Sequence, residues 1–501
     1  MAAPEMLPPS RWWGHVPSPP EAAGLEADFQ DDDPLPGGAP SAAEPEPDAA
    51  AAGALTLALR LERPLVEPGR PLFALATVQA APGGRPGEPP RQATDLVLVL
   101  DVSGSMEGQK LAALKKAAGA VVDQAGPEDR VALVAFNHAA GRRQKLGVMT
   151  AAGKQAAADA ASRLVAAGGT DIAGGLAVGL QIMQARRQRN PVAALLLLTD
   201  GQDERARGAF PRLLQQAAAA GCAIYAFGIG EDHDSGLLQS LAEQARTPYT
   251  FIQDAAAMVS AFAGLSGGLS SVVAQRVALR LRCEAELLAA HTPFDILRQG
   301  CELTVRIPDF FAGERRDVLL ELQLPAAGAR QRLPVLQAEL DYADLLAGTP
   351  VRLPAVRLEA ELRGPAEPET EPDAEVADQR DRVEAAQVLE RAMALSDAGD
   401  VRAAQELLRA QEEKVGARAS ALCRALTVDL AGARRRMQDG IAWQAGRASV
   451  ADAVQMHAVQ RCTTTGGTAR GVYCSAAQRL CIARAASLED AGALPGEAGG
   501  V

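Results

Sequence analysis

The chain has 501 residues and a formal net charge of −12, and 48% of its residues are hydrophobic. This length predicts two or three domains, and the negative charge argues against nucleic acid or an anionic membrane as the main partner. No stretch approaches the roughly 18 to 20 apolar residues of a transmembrane helix, and no secretory signal is visible at Met1. Seven cysteines without paired spacing complete the prediction of a cytoplasmic protein with reduced thiols and no membrane span.

The first part of the chain changes character near residue 54. Residues 1–53 are rich in Pro, Ala and acidic residues, which predicts a disordered tail. Residues 54–90 then alternate apolar and polar side chains as strands do, and the same alternation returns in residues 269–345. We therefore predict that these two segments pair in one antiparallel, sandwich-like β domain, into which the intervening residues are inserted.

The intervening residues 91–268 alternate short apolar strands with amphipathic helices. This order is typical of a doubly wound, mostly parallel sheet of the Rossmann-like α/β class. The strand candidates are residues 95–100, 131–136, 192–198, 222–227 and 249–252, with helices between most of them.

The last part of the chain is predicted from composition and helical periodicity. Pro and Glu dominate residues 346–375, which predicts a linker. Residues 376–445 carry helical apolar stripes on both sides of an Ala398-Gly-Asp400 turn, which predicts a helical hairpin. Residues 446–501 are rich in Gly and Ala and are predicted to be a poorly ordered tail.

The sequence Asp101-Val-Ser-Gly-Ser105 follows the first strand of the inserted domain. Its carboxylate and two hydroxyls stand at alternate positions, and such hard oxygen ligands suit Mg²⁺ or Mn²⁺ better than zinc. The alternative reading is an ordinary turn in which Ser103 or Ser105 caps the next helix. The motif alone leaves both readings open.

Two further oxygen-bearing loops favour the metal reading. Thr170 follows a Gly-Gly pair, and Asp200 follows the apolar strand that ends near residue 198. In an open α/β sheet, ligands bind outside the carboxyl ends of the strands, where these loops converge. We therefore predict one metal site formed by Asp101, Ser103, Ser105, Thr170 and Asp200.

Asp232-His233-Asp234 is a weaker candidate after another strand of this sheet. It can be interpreted as a second cation site or a partner contact. The simpler interpretation is that Asp234 caps the following helix.

The spacing of these residues resembles the von Willebrand factor A domain and its metal-ion-dependent adhesion site (MIDAS). The resemblance implies that Ser103 and Ser105 bind the metal directly and that Thr170 binds it directly or through water. It implies that Asp101 and Asp200 act largely through waters. An Mg²⁺ ion held in this way keeps a position open for the carboxylate of a protein partner. The expected function is thus metal-dependent protein binding without catalysis, and no motif for a catalytic nucleophile is present.

Further motifs resemble the A domains of plant RING-type E3 ubiquitin ligases, among them Gly169-Thr-Asp-Ile172 and Phe227-Gly-Ile-Gly230. A RING needs about eight closely spaced Cys and His zinc ligands, and residues 1–94 contain no cysteine. We therefore expect no ligase module in this chain. The alternative function is a substrate-recognition component, or a RING-less paralogue, of a ubiquitin ligase. A third hypothesis is an A-domain partner of an AAA⁺ ATPase in metal insertion.

Overall fold

The computed structural model describes residues 31–35, 53–66, 69–82, 91–324, 332–362, 370–463 and 470–492. Most of the predicted N-terminal tail, namely residues 1–30 and 36–52, lies outside these ranges. Residues 464–469 and 493–501 of the predicted C-terminal tail also lie outside them. None of the helices within the described ranges is long and apolar enough to cross a membrane.

Three strands come first in the chain. They are β1 (Leu55–Leu61), β2 (Leu65–Val66) and β3 (Pro71–Ala80). An α/β unit of alternating strands and helices follows. Its elements are, in order, β4 (Thr94–Asp101), α1 (Gln109–Gln124), β5 (Arg130–Phe136), β6 (Ala140–Val148), α2 (Ala151–Ser162), α3 (Ile172–Gln184), β7 (Val192–Thr199), α4 (Ala206–Ala220), β8 (Ala223–Ile229), α5 (Ser235–Ala245), β9 (Tyr249–Ile252) and α6 (Ala255–Ser270).

The α/β unit is built on one sheet with the strand order β6-β5-β4-β7-β8-β9. All neighbours pair in parallel except β5 and β6, which are antiparallel. Every residue of β4 and β7 is buried, because helices cover both faces of the sheet, as is usual for parallel sheets. The chain leaves β4 toward one edge and returns on the other side through β7, so the topological switch point lies between these two strands. The predicted α/β class is confirmed.

Eight more strands follow the α/β unit. They are β10 (Val272–Cys283), β11 (Glu286–His291), β12 (Asp295–Gln299), β13 (Glu302–Ile307), β14 (Phe310–Phe311), β15 (Arg315–Gln323), β16 (Arg332–Asp344) and β17 (Thr349–Leu362). One sheet has the order β1-β3-β15-β11, and the second has the order β12-β13-β10-β16-β17-β2 with β14 beside β10. The two sheets share one hydrophobic core. Because β3 pairs with β15 and β2 pairs with β17, both strands that follow the α/β unit, the α/β unit is an insertion.

The C-terminal region is helical. Its helices are α7 (Ala374–Asp397), α8 (Val401–Gly416), α9 (Ala421–Arg436), α10 (Gly440–Val459), α11 (Arg470–Tyr473) and α12 (Ala476–Gly492). Asp400 caps α8 by accepting a hydrogen bond from Ala403 N at 3.1 Å. Leu389, Leu408 and Val454 belong to the same hydrophobic cluster as one face of the α/β sheet. The helices therefore pack directly on the inserted unit.

Three predicted irregular segments contain ordered structure. The predicted linker contains β17, whose apolar residues alternate with charged ones. Its prolines are tolerated because β17 lies near the edge of its sheet, with only the two-residue β2 beyond it. The predicted C-terminal tail holds most of α10 and all of α12, whose small Ala and Gly residues allow close packing. Residues 31–35 of the predicted N-terminal tail pack against the α/β unit through ion pairs with it.

Candidate metal centre

The strand β4 places the first predicted ligand. Asp101 is the last residue of β4 and is fully buried. Its Oδ1 accepts a hydrogen bond from the Ser103 backbone N–H at 2.8 Å, which fixes the turn after the strand. The hydroxyls of Ser103 and Ser105 then lie 3.0 Å apart. Ser103 is buried and Ser105 is exposed, so this pair leads from the interior to the surface.

The neighbouring strand β7 places the second carboxylate in the same cluster. Asp200 directly follows β7 and is only 5% exposed. The Ser105 hydroxyl donates a hydrogen bond to Asp200 Oδ1 at 2.7 Å. Because β4 and β7 are adjacent parallel strands, both carboxylates lie at the same edge of the sheet, beside the switch point.

The loop before α3 brings Thr170 to this edge. The Gly104 backbone N–H donates to the Gly168 carbonyl at 2.9 Å, which joins this loop to the Ser103–Ser105 turn. At Gly201, a Cβ atom would lie only 2.7 Å from Thr170 Oγ1. Thr170 therefore lies beside the residue that follows Asp200. Hydrogen bonds link the other four predicted residues, Asp101, Ser103, Ser105 and Asp200, and these four with Thr170 beside them are called the cluster.

Thr199 is a member of the cluster that the sequence analysis did not select. It is the last residue of β7, and its hydroxyl donates to Asp101 Oδ2. The Thr199 Oγ1 also accepts a hydrogen bond from the Gly201 N–H at 3.0 Å. Thr199 thus positions Asp101 and the backbone beside Asp200. Its place directly before Asp200 at the strand end was the available signal.

Lys110 is a second residue that the sequence analysis missed. It is the second residue of α1 and about one third of its side chain is exposed. Its ammonium group lies 2.5 Å from Asp200 Oδ2. A cation in the first turn of a helix opposes the helix dipole. That unfavourable position was a signal that Lys110 serves a nearby carboxylate.

The electrostatics of the cluster favour a cation. Burial raises the pKa of Asp101, the hydrogen bonds from Thr199 and Ser103 oppose this increase, and the charge of Asp200 adds to it. Asp101 and Asp200 contribute two carboxylates, and Lys110 contributes one ammonium group. A bound cation would therefore relieve the repulsion between the two carboxylates.

The donor set and its spacing fit a small divalent ion. In the described part of the chain, no group of three or more His, Cys, Asp and Glu side chains is placed to hold a metal. The donors that lie together here are the hydroxyls of Ser103 and Ser105 and the carboxylate of Asp200. Mg²⁺ binds oxygens at 2.0–2.1 Å in an octahedron, which puts adjacent ligand atoms about 2.9 Å apart. The separation of 3.0 Å between the Ser103 and Ser105 hydroxyl oxygens is close to that value.

The Asp232–Asp234 group has a structural role. Asp234 caps α5 by accepting a hydrogen bond from Leu237 N at 2.9 Å. His233 is buried, with Nδ1 2.6 Å from the Gly230 carbonyl and Nε2 2.5 Å from the Tyr249 hydroxyl. Both ring nitrogens are thus occupied by neighbours within the fold, which supports the capping interpretation.

Comparison with known proteins identifies the domain that contains this cluster. The family model of the von Willebrand factor type A domain matches residues 95–263, a range that includes the whole cluster. The chain contains a von Willebrand factor A domain. Such domains are typically protein-interaction modules, and many of them use a MIDAS metal.

Two relatives are similar over about half of the chain. The E3 ubiquitin-protein ligase WAV3 of Arabidopsis thaliana is 30% identical over 271 residues, which cover 51% of this chain and 34% of the relative. An uncharacterised protein of Synechocystis is 30% identical over 270 residues, which cover 51% of this chain and 62% of the relative. The chain thus spans about a third and three fifths of the lengths of these relatives.

One solved structure is similar to this chain both in the A domain and in the regions around it. A von Willebrand factor type A protein from Catenulispora acidiphila superposes with a TM-score of 0.62 at 19% sequence identity. The match covers 82% of this chain and 97% of that protein. The similarity therefore extends beyond the A domain, and it concerns the fold alone.

Proposed function

We propose that the cluster of Asp101, Ser103, Ser105, Thr170 and Asp200 is a MIDAS that holds Mg²⁺, or Mn²⁺, and captures a carboxylate of a protein partner. The observation that carries this proposal is the meeting of three oxygen-bearing loops at the switch point of the A-domain sheet. Their carboxylates outnumber the one nearby ammonium group. The proposed activity is binding, without catalysis, and we expect it in the cytoplasm and without nucleic acid.

Each residue has a defined part in this proposal. The hydroxyls of Ser103 and Ser105 hold the ion directly, Thr170 holds it directly or through water, and Asp101 and Asp200 act largely through water. When bound, the ion supplies a positive charge that attracts the partner's carboxylate. Ser105 is the exposed member of the hydroxyl pair, so the partner approaches from its side of the cluster.

Titration calorimetry of the full chain with MgCl₂ tests the metal step. Wild type is expected to bind one ion with saturable heat, and Asp101→Ala is expected to lose that heat. Asp234→Asn is the matched control, because it changes a carboxylate at the same edge of the sheet and Asn still caps a helix. Equal heats from wild type and Asp101→Ala would refute the proposal.

Proximity labelling tests the partner step. The labelled proteins of wild type are compared with those of Asp200→Ala, and Asp234→Asn again serves as control. We expect a subset of partners to be lost in Asp200→Ala and retained in Asp234→Asn. The loss of no partner in Asp200→Ala contradicts carboxylate capture by this site.

A second candidate function follows from the similarity to WAV3. In this alternative the chain is a substrate-recognition component, or a RING-less paralogue, of a ubiquitin ligase. Autoubiquitination is measured with the purified chain, an E1 and an E2, and then with an added RING ligase. A product without added ligase would show intrinsic activity and overturn the binding-only proposal, whereas a product only with the ligase supports the alternative.

A further inference from the structure

A short acidic segment covers the opposite end of the A-domain sheet. Residues 31–35 (Asp-Asp-Asp-Pro-Leu) lie beside the edge strand β6. The Asp33 N–H donates to the Leu146 carbonyl at 3.0 Å, and the Val148 N–H donates to Asp33 Oδ2 at 3.0 Å. One backbone hydrogen bond and one hydrogen bond to a side chain thus hold the segment against this edge strand.

The central carboxylate of the segment enters an arginine pocket. Asp32 is 3% exposed. Its Oδ2 accepts a hydrogen bond from Arg130 Nη1 at 2.8 Å, and its Oδ1 accepts one from Arg187 Nε at 2.8 Å. Arg130 Nη1 also donates to the Asp33 carbonyl at 2.8 Å. Arg130 thus binds both a side chain and the backbone of the segment.

The A domain builds this pocket from its own residues. Arg130 is fully buried. Its Nε and Nη2 donate to the two oxygens of Asp95, each at 2.8 Å, and Arg186 Nη1 donates to Asp95 at 2.8 Å. These contacts hold the guanidinium in place and direct Nη1 toward the segment. The receptor is therefore fixed in its binding geometry by contacts that do not involve residues 31–35.

The flanking residues of the segment meet further polar groups. Arg142 pairs with Asp31 at 2.5 Å, and Lys145 pairs with Asp33 at 2.7 Å. The Leu35 N–H donates to Gln188 Oε1 at 2.6 Å. Three successive carboxylates thus face three arginines and a lysine that line the groove.

The segment contributes charge and backbone contacts, but little hydrophobic packing. Pro34 is exposed and Leu35 is half-buried, and no residue of the segment belongs to the hydrophobic clusters found among the described residues. The segment can therefore leave without opening a hydrophobic core, and Arg130 keeps its two hydrogen bonds to Asp95 when the buried Asp32–Arg130 pair is broken. Its removal is therefore compatible with a folded A domain.

We propose that the groove formed by Arg130, Arg142, Lys145, Arg187 and Gln188 is a binding site for an acidic peptide of a partner protein, and that residues 31–35 are its resident competitor. The fitting partner carries three consecutive carboxylates followed by Pro and an aliphatic residue. Because the resident segment is tethered, its effective concentration is about millimolar. A partner peptide therefore binds well only after the segment has been displaced.

The test uses the full chain with Asp31, Asp32 and Asp33 all replaced by Ala. Fluorescence anisotropy measures binding of a labelled peptide with the sequence of residues 29–37. We expect saturable binding to this triple variant, at least tenfold weaker binding to wild type, and little binding of a control peptide with Asn in place of Asp32. The affinity is expected to fall as salt is raised, because the Arg142–Asp31 and Lys145–Asp33 pairs are partly exposed.

The other possible results of this experiment also support or overturn the proposal. A triple variant that is folded, as judged by circular dichroism and cooperative unfolding, but binds no peptide overturns the proposal. If the triple variant is unfolded, rescue of its folding by the free peptide supports a separable ligand, and failure of rescue overturns it. If wild type forms a dimer and the triple variant does not, the groove binds a second copy of this chain. That result would also overturn the proposal of a partner protein.

Discussion

Strand β4 carries a fully buried aspartate near each of its ends, and the two are compensated in different ways. Asp95, near the start, accepts hydrogen bonds from the cationic groups of Arg130 and Arg186 at 2.8 Å. Asp101, at the end, accepts hydrogen bonds from neutral groups, the Ser103 N–H at 2.8 Å and the Thr199 hydroxyl.

This difference indicates which carboxylate is available to a ligand. The charge of Asp95 is neutralised by two arginines of its own domain, so its function is structural. The charge of Asp101 is solvated by neutral donors only, and burial raises its pKa. A carboxylate of the second kind gains from a cation that comes from outside the fold. A buried acid at a strand end is therefore a metal candidate only where arginines do not already occupy it.

The largest effect is expected when Arg130, a cationic partner of Asp95, is replaced. Arg130→Met leaves Asp95 and Asp32 buried with fewer cations, and loss of one partner from a buried ion pair costs about 3–5 kcal/mol. Urea denaturation should show this decrease in the free energy of unfolding. Arg187→Met is the matched control, since its side chain is 57% exposed and such pairs contribute about 1 kcal/mol or less. Equal losses in the two variants would contradict a special role for Arg130.

The same isosteric change at the two aspartates should have unequal effects. Asp95→Asn removes the charge that holds two buried arginines and is expected to cost about 3 kcal/mol. Asp101→Asn in EDTA removes a charge that burial disfavours, so the free energy of unfolding should stay equal or increase. Denaturation of both variants, each against wild type in EDTA, measures this contrast. A comparable loss of stability in Asp101→Asn would mean that Asp101 is structural as well.

Much of this comparison was accessible from the sequence. The apolar runs that predict strands at residues 95–100 and 192–198 are strong signals, because strands buried on both faces need continuous hydrophobic residues. Since the carboxyl ends of parallel strands lie at the same edge of a sheet, the α/β class predicts that Asp101 and Asp200 lie at one edge.

Other features depend on tertiary contacts that no local pattern reveals. The arginine partners of Asp32 and Asp95 come from distant parts of the chain, and Arg130 lies 98 residues from Asp32. The composition of residues 31–35 therefore gave the wrong expectation of disorder. The strand β17 was missed because Pro and Glu suggested a linker, although its alternation of apolar and charged residues was a usable signal.

A smaller effect is expected from a change that displaces Thr170 without touching a charge. In Gly201→Ala, the new Cβ would lie 2.7 Å from Thr170 Oγ1, so that hydroxyl must move away from the cluster. We expect Mg²⁺ affinity in calorimetry to fall about tenfold, which corresponds to about 1.4 kcal/mol. Gly208→Ala in α4 is the control, because its Cβ would meet nothing within 4 Å. An unchanged affinity in Gly201→Ala would remove Thr170 from the proposed ligand set.

The smallest expected effect concerns Lys110, whose ammonium group pairs with Asp200 at the carboxyl end of the sheet. Its ammonium group occupies Asp200 Oδ2 at 2.5 Å, so an incoming metal ion must share that carboxylate with a positive charge. Lys110→Met is therefore expected to bind Mg²⁺ about two- to fivefold more tightly, in line with the modest strength of a partly exposed pair. Lys116→Met, which changes an exposed lysine of the same helix, should leave the affinity unchanged. Weaker binding by Lys110→Met would mean that Lys110 positions Asp200 for the metal, and both ends of the sheet would then use a cationic side chain to hold a buried carboxylate.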